Sequence, residues 1–247
     1  AGHLGLGNLC WIYDHNRISL DGPTALSFSE DVAGRFASCG WGVSRVADAN
    51  DPDAGEAALR AAGGAGRPTL IIVDSHIGYG APHKQDTSAA HGEPLGDEEV
   101  ALAKRSYLWQ EDATFLVPDE VYQHFRNGLC TRGHTARVEW DARFGEYTQQ
   151  FPDLADHVSR MQRRALPDGW DRDLPQFPAS ETGVSGRDAS GQLLNAIAPR
   201  VPWLVGGAAD LAPSTKTRLT FDGAGDFGAN EPTGRNMHFG VREHAMS

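Results

Sequence analysis

The chain has 247 residues, of which 40% are hydrophobic and 22% are charged, a composition typical of a folded globular protein. Its formal net charge of −11 argues against nucleic acid and anionic membrane surfaces as partners, because both carry negative charge. No run of about 18 apolar residues is present and the first residues are unlike a signal peptide, so we expect a cytoplasmic protein that does not associate with membranes. The three cysteines lack metal-ligand spacing and are interpreted as buried or incidental thiols: Cys10, Cys39 and Cys130.

The first 95 residues are predicted to alternate strands with helices. Three strands are expected, at Leu9–Tyr13, Trp41–Val46 and Thr69–Val73. One helix is expected to begin at a capping box formed by Ser27 and Glu30, and another at Asp51, where the following proline is tolerated. The third strand is unbroken, apolar and β-branched, which is typical of a strand covered on both faces. Because right-handed crossovers join such strands, we predict an α/β fold with doubly wound, mostly parallel sheets.

Residues 78–96 lack periodicity and are rich in glycine and histidine. A loop of this length is usually functional or disordered, and its place directly after a central strand favours a functional loop. Beyond this loop, four helices are predicted, at Asp97–Ser106, Asp119–Asn127, Ala136–Gln150 and Leu154–Ala165. The Pro- and Gly-containing segment Leu174–Gly186 is interpreted as a linker. A second α/β unit is expected to follow, with a helix at Asp188–Ile197 and a strand at Trp203–Val205.

Asn16 follows the first predicted strand, at the edge where open α/β sheets bind their ligands. Its side-chain oxygen and a nearby backbone carbonyl are hard donors suited to Mg²⁺, which keeps phosphates and waters as further ligands. Taken alone, an asparagine at a strand end is more often a turn residue. The spacing therefore leaves a metal ligand and a turn residue both open.

Three segments, in the same order along the chain, resemble the transketolase family: 12–22, 77–92 and 242–246. Their sequences include Tyr-Asp-His-Asn-Arg-Ile, Ile-Gly-Tyr-Gly with a later His-Gly, and Arg-Glu-His-Ala-Met. The resemblance implies a thiamine diphosphate and Mg²⁺ enzyme, in which Ca²⁺ or Mn²⁺ can replace Mg²⁺. Such enzymes transfer a two-carbon ketol unit from a ketose phosphate to an aldose phosphate, as in the pentose phosphate pathway and the Calvin cycle. They act as homodimers whose active site lies at the subunit interface.

The resemblance also implies roles for individual residues. Asn16 and the carbonyl of Ile18 would bind Mg²⁺, although the Gly-Asp-Gly half of the family's motif does not occur in this chain. Ile77 would lie beside the cofactor, and His91 would approach the diphosphate and the reacting carbon. Asp210 would lie near the thiazolium ring.

The family pattern also assigns substrate binding and proton transfer. Arg187 and Ser214 would bind the sugar phosphate, with Asp188 standing where the family usually has lysine. Glu243 would hydrogen-bond the aminopyrimidine of the cofactor and serve in catalysis with His91. His83 is a weaker candidate in the same loop.

By this resemblance the segment is a central piece of a longer polypeptide, with both of its domains incomplete. Residues 1–150 would be the C-terminal part of the diphosphate-binding domain, 151–186 a helical and linker segment, and 187–247 the N-terminal part of the pyrimidine-binding domain. We do not expect the isolated segment to be active. Two alternatives stay open: a related ketol transferase such as dihydroxyacetone synthase, and a non-catalytic remnant that keeps the fold but binds no cofactor.

Overall fold

The computed structural model describes residues 1–246, and Ser247 lies outside the described part of the chain. The backbone divides into two compact units, one formed by Ala1–Leu116 and the other by the residues from Val117 onward. Among the described residues, no helix is long and apolar enough to cross a membrane.

The first unit is built around a parallel sheet with the strand order β1-β5-β4. Its strands are β1 (Cys10–His15), β2 (Ile18–Ser19), β3 (Gly22–Pro23), β4 (Gly42–Val46) and β5 (Thr69–Asp74), of which β2 and β3 form a separate antiparallel hairpin. Its helices are α1 (Val32–Ser38), α2 (Pro52–Ala62) and α3 (Asp97–Ser106). The three long predicted strands and α3 are confirmed, with β1 extending two residues further than expected.

Helices cover both faces of this sheet. Leu70 and Ile72 of β5 are buried on one face, against Trp41 and the side of α1 that carries Phe36. Ile71 is buried on the other face, with Val46 and the alanines of α2. Successive residues of β5 therefore enter opposite cores, as expected for a central strand covered on both faces. The predicted doubly wound arrangement is confirmed for this unit.

The predicted start of α1 is wrong. The helix begins at Val32, and its N-cap is Asp31, whose carboxylate accepts a hydrogen bond from the amide of Gly34 at 2.9 Å. Glu30 is not part of a capping box with Ser27, because its carboxylate pairs with Arg35 on the first turns of the helix. Asp31 thus caps the third amide of the helix, which is the role that the prediction gave to Ser27 for a helix beginning four residues earlier.

The second unit consists mainly of helices, with one short two-stranded parallel sheet. Its helices are α4 (Asp119–Phe125), α5 (Thr131–Gln150), α6 (Pro152–Arg163), α7 (Gly186–Ile197), α8 (Ala212–Thr215) and α9 (Glu243–Met246). Its strands are β6 (Gly206–Ala208) and β7 (Asn236–His238), which pair in register.

Two predicted boundaries in this unit are wrong. The predicted gap between the helices of 119–127 and 136–150 does not exist, because a π-helical segment, Arg126–Cys130, joins α4 to α5. The hydroxyl of Thr131 donates to the carbonyl of Arg126 at 2.8 Å and satisfies an acceptor in this wider turn. The strand predicted at Trp203–Val205 instead begins at Gly206, and the carbonyl of Leu204 accepts hydrogen bonds from the Arg235 guanidinium.

The expectation of buried thiols is also wrong, because Cys10, Cys39 and Cys130 are all free and exposed. Cys10 begins β1, which lies at the edge of the described sheet, and Cys39 follows the last residue of α1. Cys130 lies in the exposed π-helical segment. None of these positions faces a core, so the incidental interpretation is the one that fits.

Candidate active site

The carboxyl ends of β1, β4 and β5 bring several charged side chains together. His15 and Asp74 are paired in register at the ends of β1 and β5, and the ring Nδ1 of His15 lies 2.9 Å from Oδ1 of Asp74. Arg45 of β4 donates to the same carboxylate through Nε and Nη2, each at 2.6 Å. The hydrogen bonds from Arg45, together with that from His15, hold the pKa of Asp74 well below its ordinary range. The carboxyl end of the sheet therefore carries a negatively charged Asp74 whose two oxygens are both hydrogen-bonded.

Asn16 lies next to this cluster, in a tight turn between β1 and β2. Its Oδ1 accepts a hydrogen bond from the amide of Ile18 at 3.0 Å, and its Nδ2 donates to Oδ2 of Asp14 at 3.3 Å. The hydroxyl of Ser75 donates to the other oxygen of Asp14. Arg17, between the two predicted ligands, has a φ of 63°, a left-handed conformation that a non-glycine residue adopts only when its surroundings impose it.

Asn16 and Ile18 both line a cavity of about 470 Å³ at this edge. The predicted metal ligands are thus brought to one site. Five residues to which the sequence pattern assigned no role line the same cavity: His15, Asp74, Ser75, His76 and Asp86. Asp86 accepts a hydrogen bond from Nδ1 of His76 at 2.9 Å. The signal that could have found His76 is its place just after β5, at the same edge as Asn16.

The oxygen atoms that this turn offers suit a hard cation that takes most of its ligands from phosphate and water. The Oδ1 of Asn16 can accept two bonds, so the bond from Ile18 leaves one lone pair for a metal. Within residues 1–246, no group of three histidine, cysteine, aspartate or glutamate residues is arranged to hold a metal ion. A cation at Asn16 would therefore need oxygens from a phosphate and from water, which is the coordination that Mg²⁺ favours.

The loop after β5 returns towards the same hairpin. The carbonyl of Ile77 accepts a hydrogen bond from the amide of Asp86 at 3.0 Å, which closes the first part of the loop. A short 3₁₀ turn, Ser88–Ala90, precedes His91, whose side chain is exposed. At the next position, a Cβ on Gly92 would lie 2.7 Å from the side chain of Leu20 in the β2–β3 hairpin. The part of the loop that contains His91 is therefore packed against the hairpin that contains Ile18.

His83, the weaker candidate in this loop, is held by a different element. Its ring Nδ1 lies 2.9 Å from Oε2 of Glu99 on α3. His83 is not among the residues that line the cavity at Asn16. The geometry gives it a contact with α3 rather than a place at the predicted metal site.

In the second unit, the predicted substrate residues lie on neighbouring elements. Arg187 is exposed in the first turn of α7, and Ser214 is exposed on α8. The two helices approach closely, since a Cβ on Gly191 would lie 2.7 Å from the Cβ of Lys216. A cavity of about 520 Å³ lies between them. Asp188 lines that cavity, but its carboxylate accepts a 2.5 Å hydrogen bond from the cap residue of α7, Ser185.

Asp210 and Glu243 occupy two further exposed positions in this unit. Asp210 follows β6 with a φ of 62°, so the chain turns sharply before α8. Glu243 is the first residue of α9. Its neighbour Arg242 donates from Nη1 to the carbonyl of Phe239 at 2.5 Å, so this guanidinium is engaged by backbone.

Comparisons with known proteins find relatives along the whole chain. Residues 1–167 match the family model described as "Transketolase, thiamine diphosphate binding domain". The match defines the class of the first part of the chain, an α/β domain of the thiamine diphosphate-binding kind. The chain is 46% identical over 247 residues to a transketolase of Geobacillus stearothermophilus and 43% identical to one of Bacillus subtilis, and all of the chain is covered in both.

Solved structures show the same relationship. A transketolase from Leishmania mexicana superposes on the whole chain with a TM-score of 0.93 at 35% identity. A Pichia stipitis transketolase in complex with sedoheptulose-7-phosphate superposes with a TM-score of 0.92 at 36% identity. The chain belongs to the transketolase family, which confirms the family and the α/β fold class predicted from the sequence. It spans 36–37% of the length of these relatives.

Proposed function

We propose that this chain forms part of a thiamine diphosphate-dependent transketolase that moves a two-carbon ketol unit from a ketose phosphate to an aldose phosphate. The observation that carries the proposal is the turn at Asn16 and Ile18, which lines a cavity at the carboxyl edge of the parallel sheet. Membership of the transketolase family and the sugar phosphate in the Pichia stipitis relative support it.

In this proposal Asn16 and the carbonyl of Ile18 bind Mg²⁺, which Ca²⁺ or Mn²⁺ can replace, and the metal holds the diphosphate. The cofactor supplies a nucleophilic thiazolium carbon for the ketose carbonyl. Ile77 and His91 lie along the cofactor, and the packing of Gly92 on Leu20 supports that placement of the loop.

Four residues of the second unit are assigned roles in binding and catalysis in this proposal. Arg187 and Ser214 bind the substrate phosphate, as a guanidinium and a hydroxyl are suited to do. Asp210 lies near the thiazolium ring. Glu243 holds a proton at the aminopyrimidine nitrogen, and its carboxyl must be desolvated when the cofactor is bound so that it can share that proton.

The proposed assembly is a homodimer with its active site at the subunit interface. The exposed position of Glu243 supports this, because its carboxylate is accessible to a partner subunit. Three free, exposed thiols agree with a reducing compartment such as the cytoplasm.

A graft tests the proposal. The 247 residues replace the matching segment of the Geobacillus stearothermophilus transketolase, in register, and the product is assayed with a ketose phosphate and an aldose phosphate. We expect ketol transfer that requires thiamine diphosphate and a divalent metal, whereas the 247-residue chain alone shows no transfer. A graft that folds and dimerises but neither binds cofactor nor transfers the unit would support the non-catalytic alternative.

A further inference from the structure

Glu99, in the first turn of α3, is a buried carboxylate bonded to the Gly- and His-rich loop. Only 7% of the residue is exposed. Its Oε1 accepts hydrogen bonds from the amides of His83 at 2.7 Å and Lys84 at 3.2 Å, and its Oε2 lies 2.9 Å from Nδ1 of His83. Burial raises the pKa of Glu99, but the donors from His83 and Lys84 outweigh it and hold the pKa below its ordinary value. A charged carboxylate therefore lies directly beneath one turn of the loop.

That turn is connected to the later part of the loop through Lys84. The side-chain ammonium of Lys84 donates a hydrogen bond to the carbonyl of Pro94 at 3.3 Å. The backbone carbonyl of Lys84 accepts a hydrogen bond from the hydroxyl of Thr87 at 2.7 Å. His91 lies between Thr87 and Pro94, so the loop segment that contains it is hydrogen-bonded to Lys84 at both ends. The position of the Lys84 backbone, which Glu99 fixes, thus limits where His91 can lie.

A second contact from the end of α3 holds the start of the loop. The hydroxyl of Tyr107 donates to the carbonyl of Tyr79. Gly80 has a φ of 82°, and a Cβ there would lie 3.1 Å from the Tyr107 ring, so the backbone passes close to the aromatic side chain. Together, Glu99 and Tyr107 tie two points of the loop to one helix.

We propose that Glu99 is a positioning residue that fixes the loop 78–96 before any cofactor binds and thereby places His91 beside the diphosphate. The first half of this statement concerns the folded chain alone. The second half rests on the proposed function, since it assigns His91 to the cofactor. The loop is on this account a preorganised element, which lowers the ordering cost of binding.

Amide hydrogen exchange of the 247-residue chain tests the first half. In Glu99→Ala the amides of His83 and Lys84 should exchange on the order of tenfold faster or more, because each loses a charged acceptor. Glu99→Gln keeps an oxygen for both amides and should give an intermediate rate. Glu98→Ala, an exposed neighbour on the same helix, is the matched control and should exchange like the wild type.

The pattern of exchange separates positioning from general stability. Amides of β5 should stay protected in all three variants. Wild-type rates at His83 and Lys84 in Glu99→Ala, or equal acceleration throughout β5, would overturn the proposal. If Glu99→Ala does not fold, Glu99→Gln carries the test, because unchanged rates at these two amides would equally overturn it.

The second half is tested in the graft by thiamine diphosphate affinity. Glu99→Ala should weaken binding by about tenfold while Glu98→Ala leaves it unchanged, and Glu99→Gln should restore part of the loss. Equal affinity in all variants would overturn the placement of His91 by Glu99. A graft that binds no cofactor at all would contradict the proposed function and, with it, this half of the proposal, whereas the exchange experiment would still decide whether Glu99 fixes the loop.

Discussion

Asp74 accepts two parallel hydrogen bonds from Arg45, one at each carboxylate oxygen and both at 2.6 Å. The two residues come from neighbouring parallel strands, so this bidentate pair joins the carboxyl ends of β4 and β5. His15 of β1 shares the same carboxylate. One aspartate thus links three strands at the edge that also presents Asn16.

This arrangement predicts how stability depends on pH. Asp74→Asn should lower the free energy of unfolding by about 1–3 kcal/mol at pH 7, because it removes a charged acceptor. The pKa of Asp74 is lowered in the folded chain, chiefly by Arg45, so its contribution is present above the unfolded pKa of about 3.9. This contribution to the free energy of unfolding decreases as the pH falls below that value, and it is gone once the pH is below the pKa of Asp74 in the folded chain.

Urea denaturation between pH 3 and pH 7 (about the accessible range) measures this difference. The gap between the wild type and Asp74→Asn should narrow as the pH drops below about 4. Asp112→Asn, at an exposed position, is the control and should show little effect at any pH. A gap that stays constant across the range would contradict the assignment of Asp74 as a charged partner of Arg45.

Arg235 is predicted to stabilise the second unit. Its guanidinium donates to the carbonyls of Ala198, Val201 and Leu204, and it lies 5.0 Å from the Phe221 ring centroid. Arg235→Ala should cost about 2–3 kcal/mol, because it leaves part-buried carbonyls without donors. Arg235→Lys should not restore the lost stability, since an ammonium lacks the planar set of N–H donors that a guanidinium offers. Arg132→Ala, on the exposed face of α5, is the control, and equal urea midpoints for both variants would refute the role.

The sequence predicted the elements whose signals are local. The buried β-branched run Thr69–Val73 and the acidic start of α3 at Asp97 both fold as expected. β6 could not be predicted, because Gly206 and Gly207 have low strand propensity and pair with a strand about thirty residues later. Glycine is required there, since a Cβ on Gly207 would lie 2.1 Å from the carbonyl oxygen of Met237.

Some residues of the candidate site could likewise be predicted from the sequence and others could not. Asn16 and Ile18 could be selected from one contiguous segment, and the structure brings them to one cavity. The partnership of Arg45 with Asp74 depends on strand order and register, which residue patterns alone do not specify. The bond between Glu99 and the loop likewise joins residues that are 15 and 16 positions apart and have no shared periodicity.

Arg187 is predicted to govern phosphate recognition rather than chemistry. In the graft, Arg187→Ala should raise KM for phosphorylated sugars by roughly tenfold or more, the effect of losing a charge-assisted contact. Unphosphorylated sugars should be affected much less. Steady-state kinetics with both substrate classes provides the measurement, with Arg132→Ala as the control. Equal losses for the two classes would show that Arg187 has a structural role.

Glu243 is predicted to act in proton transfer. In the graft, Glu243→Gln keeps the shape of the side chain but cannot share a proton, so kcat should fall by roughly 10²–10⁴ while folding and dimerisation persist. Hydrogen–deuterium exchange at the bound thiazolium carbon should slow by a comparable factor. Wild-type exchange in this variant would return Glu243 to the role of a surface carboxylate beside Arg242.

The affinity of the graft for thiamine diphosphate, measured by calorimetry with Mg²⁺ and with a chelator, tests the central claim most directly. Asn16→Ala should weaken Mg²⁺-dependent binding by at least about tenfold, because it removes an oxygen from the metal. Asn127→Ala, at an exposed position in the π-helical segment, should bind like the unmodified graft. Unchanged affinity and an unchanged metal requirement in Asn16→Ala would contradict the assignment of this turn as the metal and cofactor site.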